Sequence, residues 1–272
     1  MISFGLNHMT VPRVPARDLL GMASALGCTG VEFRNDLNGP LFDGEDPKDI
    51  GAAAREAGLR ILALAEVKAF NDAPSDKLPP ALDLMQMAAA CGAEGVALIP
   101  QLATGPSGRD RQRLALRAAL EVLQAPLEDH GLTGLIEPLG FAHSTLRLKR
   151  DVVAVLDDMN RPACFGIVHD TFHHHLAGED TFQAQATALV HISGITDLAP
   201  TSEQMIDAHR VLVDADDRLG NLPQLRALQM AGYEGPVSFE AFAPEIHNMT
   251  QPAEALARSQ EFITSHLARR AA

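Results

Sequence analysis

The chain has no tryptophan and a single tyrosine, and its aromatic residues total 4 per cent, so a core must be built from Leu, Ala, Val, Ile and Met. Cysteine is scarce too. Cys28, Cys91 and Cys164 are an odd, dispersed set without C-x-x-C spacing, each beside apolar sequence, which excludes a disulfide framework and reads as small buried thiols. Basic charge is outnumbered, 22 residues against 35 acidic ones, for a net charge of -13. A surface of that sign disfavours a phosphate-backbone partner, so no nucleic acid is expected. No apolar run reaches membrane-spanning length, and no basic leader precedes the first apolar run, Ile2 to Leu6. A cytoplasmic protein without a membrane partner is the expectation. G-x-G-x-x-G after the first strand and G-x-x-x-x-G-K anywhere are also missing, which weakens a nucleotide-binding reading.

Against these absences stands a 46 per cent hydrophobic content in 272 residues, enough for a substantial core. Eight short apolar runs alternate with helical patterns: strands near 2–6, 30–34, 59–67, 95–100, 132–137, 164–170, 189–193 and 237–240. Between them, helices are expected over 16–26, 47–57, 78–90, 109–130, 149–159, 181–188, 222–230 and 252–267, with Pro126 kinking or interrupting the fourth. Strand–helix repetition implies parallel pairing with right-handed crossovers, and eight units point to a closed (β/α)8 TIM barrel forming one α/β domain over 1–272. An open doubly wound sheet is the alternative.

Four of the strands finish in the same way. Leu135-Ile136-Glu137, Ile167-Val168-His169-Asp170, Leu189-Val190-His191 and Val237-Ser238-Phe239-Glu240 each deliver a carboxylate or imidazole at or near the C-terminal end. The intervals of 33, 21 and 49 residues let these groups meet only if the strands lie side by side. Three carboxylates would repel one another there unless a divalent cation, Mn, Zn, Co or Mg, sat among them. Such a cation could bind adjacent oxygens of a polyol and polarise its carbonyl, with Glu137 and Glu240 moving protons through an enediolate. His173 could donate a hydrogen bond to a substrate oxygen, with less expected of His174 and His175. Lys68, Arg210 and Arg218 could supply positive charge, and Glu32 and Glu66 could support ligands or substrate. Phe70, Phe141 and Phe242 offer an apolar wall. The polar segment 194–219 lacks periodicity and reads as a functional loop.

Ile136-Glu137-Pro138-Leu139-Gly140-Phe141, His169 to His175, Val190-His191-Ile192-Ser193 and Ser238 to Glu245 resemble the xylose isomerase-like sugar isomerase/epimerase superfamily, most closely its inosose (2-keto-myo-inositol) isomerase branch. The resemblance covers nearly the whole chain. It implies one divalent metal held by Glu137, Asp170, His191 and Glu240, the two glutamates as the proton-transfer pair, and His173 and Arg210 on the substrate. It also implies a small keto-polyol or ketose as substrate, and inositol catabolism as the setting. Beyond Arg210 the chain departs from its relatives, reading Leu212 to Gly220 where they continue with tryptophan or proline and then P-G-x-G. That change bears on substrate identity. A cyclitol or sugar-acid dehydratase and a noncatalytic sugar-binding barrel are the competing functions, and a mouth loop or exposed helix could support a homodimer.

Overall fold

Each apolar run becomes a strand in the computed structural model, which describes residues 2–103 and 108–268. In chain order these are β1 Ser3–Asn7, β2 Gly30–Arg34, β3 Arg60–Lys68, β4 Gly95–Ile99, β5 Thr133–Ile136, β6 Phe165–Asp170, β7 Thr187–Ile192 and β8 Pro236–Phe239. All neighbours pair in parallel and β8 closes on β1, giving the expected (β/α)8 barrel. The intervening helices are α1 Ala16–Ala25, α2 Pro47–Glu56, α3 Pro74–Cys91, α4 Arg109–His130, α5 Lys149–Asp158, α6 Thr171–Ala177 and α7 Asn221–Met230, with α8 Pro244–His247 and α9 Pro252–Ala268 after β8. Among the described residues no helix is long and apolar enough to cross a membrane. The short loop containing Gly and Ser that the sequence places before α4 falls at 104–107, and Ala271 and Ala272, which the sequence reads as frayed beyond the last helix, follow residue 268; both lie outside the described residues.

Three helix expectations need correction. Pro126 does not break α4, because Leu123 and Leu127 on either side stay seated in the core. Helix α3 begins at Pro74 rather than 78, since the fixed φ and missing N–H of proline suit a first helical position. The expected helix over 181–188 is a single 3-10 turn, Ala184–Ala186. Its place is taken by α6, which starts immediately after β6. Asp170 caps it by accepting from the His173 N–H at 2.8 Å, and Gly178 ends it at a positive φ of 63°.

Alternation along the strands divides the apolar residues into two cores. Leu62, Ala63, Leu135, Val168 and Leu189 pack inside the barrel. Leu6, Val31, Phe33, Val96, Ile136, Ile167, Val190 and Val237 face outward against the helices in a far larger cluster. His169, flanked by inward Val168 and Asp170, must therefore face the helical layer, where polar groups have to find partners. There the buried Lys149 ammonium of α5 lies 2.8 Å from His169 Nδ1 and 2.7 Å from His174 Nδ1. His169 Nε2 meets Gln224 Oε1 at 2.9 Å, and Gln224 donates to the carbonyls of Thr171 and Leu219. One small polar layer thus ties α5, α6 and α7 to β6.

Burial, then the neighbouring Lys149, pushes the His174 imidazole down to about 3. The unfolded chain takes that proton near the ordinary value of 6.5, so between these two values stability falls as pH falls. Replacing His174 with Phe is expected to flatten the fall measured by urea unfolding from pH 6.5 to 4.5 in chelator. The flattening should approach about 1.4 kcal/mol per pH unit, the value of one proton. An unchanged slope would remove His174 from the acid response.

Candidate metal centre

The C-terminal ends of β5, β6, β7 and β8 are where the inward-facing positions turn from apolar to ionisable. Leu135, Val168 and Leu189 point into the barrel, so the residues two further on, Glu137, Asp170 and His191, point inward one layer higher. Val237 and Phe239 belong to the outer cluster, which turns Ser238 and Glu240 inward. Glu137, Asp170, His191 and Glu240 are each at most 4 per cent exposed and offer ligand atoms that all lie within 4.8 Å of one another. The four expected ligands therefore meet.

Such a cluster needs compensating positive charge. Arg210 and Arg34 provide part of it, bracketing Glu240: Arg210 Nη2 donates to Oε2 at 3.0 Å, and Arg34 Nη1 donates to Oε1 at 2.8 Å. Asn7 Nδ2 adds a third donor at 3.2 Å. Arg210 Nη2 also meets Asp170 Oδ2 at 2.5 Å, and its guanidinium lies over the rings of Phe172 and Phe242 at 5.0 and 4.5 Å. Burial alone would raise Glu240, but His191, Arg210 and Arg34 hold it well below the ordinary carboxylate range. Among the described residues no guanidinium hydrogen-bonds to Glu137. Burial, followed by the charge of Glu240, pushes it up to about 7.

His191 reports what is still lacking. Its Nε2 lies 2.9 Å from Glu32, whereas Nδ1 is buried without a hydrogen-bond partner, 3.3 Å from Glu240 Oε2 and 3.7 Å from Glu137 Oε1. Burial opposes an imidazolium here, yet Glu240 and Glu32 raise the group well above its ordinary value. A divalent cation supplies the same compensation without a proton on Nδ1, and three carboxylates with one imidazole are a donor set suited to it. The residues present fit a metal.

Residues 20–266 match the sequence family described as Xylose isomerase-like TIM barrel. The chain belongs to the xylose isomerase-like TIM barrel family. A crystal structure of a xylose isomerase domain containing protein from Salmonella typhimurium LT2 is similar at 25% identity and TM-score 0.88, over 98% of this chain and 97% of that one. The IolI protein with a bound zinc atom is similar at 19% identity and TM-score 0.82, over 98% of both chains. D-allulose 3-epimerase from Methylomonas sp. in complex with D-allulose is similar at 18% identity and TM-score 0.68, over 99% and 97% of the two chains. These last two likenesses speak to the fold alone. No curated protein sequence matches the chain.

In this xylose isomerase-like barrel the cluster opens into a cavity of about 440 Å³ at the barrel mouth, lined also by His173, Arg210, Glu66 and Lys68. His173, in the first turn of α6, keeps its Nδ1 buried without a partner. The side chain of Glu66 is 9% exposed, and that of Lys68 is 82% exposed with Nζ 4.0 Å from Glu66, so Lys68 stands at the rim. Phe141 and Phe242 line the cavity, but Phe70 does not: it packs into the outer core. Arg218 donates to the carbonyls of Asp197 and Pro200, bracing the 194–220 segment rather than facing the site. His175 meets Ser202 instead. Sequence reasoning missed Arg34 and Asn7 as site residues, although both are polar residues at strand ends, the signal that found the ligands.

Adding Zn²⁺ or Mn²⁺ to chelator-stripped protein is expected to raise its melting temperature, by a stabilisation of about 2.7 kcal/mol at a hundredfold excess over Kd. A thermal melt of the His191→Ala protein should show little of that gain. An equal gain in that variant would place the metal elsewhere.

Proposed function

We propose that the chain is a divalent-metal-dependent isomerase or epimerase of a small keto-polyol, with 2-keto-myo-inositol as the specific candidate substrate. The observation that carries this reading is the pairing of two buried carboxylates of opposite character, Glu137 and Glu240, within one ligand cluster that lines the cavity at the barrel mouth. A pair of that kind suits proton redistribution beside a carbonyl. One group must be ionised to take a proton, and one must be able to hold it near neutral pH.

The division of labour follows from the neighbours. Glu240, between Arg34 and Arg210, is held as a carboxylate and stands ready as an acceptor. Glu137, raised to about 7, can both hold and release a proton in neutral solution, and any added positive charge would shift it toward release. When bound, the metal supplies the charge against which a ketone oxygen can become negative. His173 and Arg210 orient substrate oxygens, Glu66 accepts from a hydroxyl, and Lys68 contacts the outer end of the ligand. Phe141 and Phe242 cover the carbon face. At about 440 Å³ the cavity lies toward the small end of ligand sites, which span roughly 300–1,000 Å³. The similarity in fold to the zinc-containing IolI protein and to a D-allulose epimerase supports the class of chemistry.

In heavy water, metal-replete protein is expected to incorporate deuterium into 2-keto-myo-inositol or a ketose and to give a product of otherwise unchanged mass. Glu137→Gln should slow that exchange by at least about a hundredfold, the scale of positioned acid–base catalysis, with metal content measured alongside. Nuclear magnetic resonance and mass spectrometry read both. A product lighter by one water would make the protein a dehydratase, and binding without exchange would make it a noncatalytic barrel.

A further inference from the structure

Glu32 lies on β2 and is fully buried, and its side chain crosses the barrel interior to His191 on β7, with β1 and β8 between the two strands. The strands between them carry small residues at this level. At the register of His191 the neighbouring residues are Ser238 on β8 and then Gly5 on β1. A methyl on Gly5 would come within 2.9 Å of Leu62 and 3.1 Å of the Ser238 side chain, so no larger residue fits without displacing them.

The hydrogen bonding of Glu32 is unlike that of a structural carboxylate. Its Oε2 meets His191 Nε2 at 2.9 Å, while its Oε1 is buried without a partner. Among the described residues it caps no helix and pairs with no arginine or lysine. A buried carboxylate with a single partner is costly to keep, because desolvation of its second oxygen is uncompensated. The partner it does have is the ligand imidazole. Glu32 occupies the Nε2 side of the ring at 2.9 Å, which leaves Nδ1 as the nitrogen that faces Glu240 at 3.3 Å and Glu137 at 3.7 Å.

We propose that Glu32 is a positioning residue of the metal centre, fixing the His191 ring so that Nδ1 rather than Nε2 is the metal-binding nitrogen. This rests on the reading of the four-residue cluster as a metal site. A carboxylate behind a ligating histidine both orients the ring and increases the electron density of the ligating nitrogen. Arg34, two residues further along the same strand, performs the matching service for Glu240 through a 2.8 Å bond. One strand with no ligand of its own therefore sets the geometry of two.

The test uses full-length protein stripped of metal and titrated with Zn²⁺ against a competing chromophoric chelator, in wild type, Glu32→Ala and Glu32→Gln. Glu32→Ala is expected to bind Zn²⁺ about 10- to 100-fold more weakly. Glu32→Gln, near-isosteric and still able to accept from Nε2–H, keeps the fold even where Ala does not. It is expected to retain the ring orientation while binding at least about threefold more weakly, because the acceptor has lost its charge. Nitrogen spectra of the zinc-loaded, histidine-labelled proteins read which nitrogen carries the proton: Nε2 in wild type and Glu32→Gln, and a mixture or a broadened signal in Glu32→Ala. Wild-type affinity in both variants, or Zn²⁺ on Nε2 in wild type, overturns the role of Glu32 and leaves the metal site standing. A wild-type protein with no stoichiometric Zn²⁺ site overturns both.

Discussion

Bringing three carboxylates and an imidazole within 4.8 Å of one another inside a protein is the constraint on which the rest of this structure turns. Coulomb repulsion among them is severe in a low-dielectric interior, and each group also loses its hydration. The fold meets part of the demand with two buried guanidiniums, Arg34 and Arg210, which clamp Glu240 from opposite oxygens. The remainder falls on His191, whose Nδ1 has no hydrogen-bond partner and faces two of the acids. A donor set that still needs positive charge is what suits the cluster to a divalent metal more than to an ion-pair network.

The barrel is suited to this because a parallel strand ends abruptly and its side chains alternate. Apolar residues fill the barrel up to Leu135, Val168 and Leu189, and the next inward position on each of those strands is a candidate ligand. Rigid strand ends hold four groups from distant parts of the chain together at one end of the barrel, with the loops left to shape the cavity above. The 194–220 segment is one of these. It brings Arg210 into the site, and Asp217 ties its two ends by accepting from the backbone N–H groups of Ile195 at one end and of Leu219 and Asn221 at the other.

The outward face of β6 carries a second polar arrangement, formed by Lys149, His169, His174 and Gln224, that contributes no group to the cavity. It links the start of α6, and so His173, to α7 through the carbonyls of Thr171 and Leu219. The three histidines that follow Asp170 in sequence consequently have three fates. His173 enters the site, His174 joins the layer behind it, and His175 meets Ser202. A helix turns each successive residue by about 100°, so consecutive residues cannot share one task.

The barrel, the four candidate ligand positions and the end of the barrel at which they meet were legible in the sequence, because each depends on local pattern: eight apolar runs, a period of two, and a charged group where four of the runs stop. The roles of Arg34 and Asn7 were not specified in that way, and Glu32 was legible as a residue that could support a ligand but not as the partner of His191. Their partners lie 206, 233 and 159 residues away, and nothing local marks a strand-end arginine as the clamp on a distant glutamate. The helical reading of 181–188 failed for a related reason, since the cap that starts α6 is Asp170, a residue that also serves the site. Periodicity determined which residues face inward. Which of them touch, and which nitrogen of His191 is left free, was decided only when the barrel closed and set strands from opposite ends of the chain against one another.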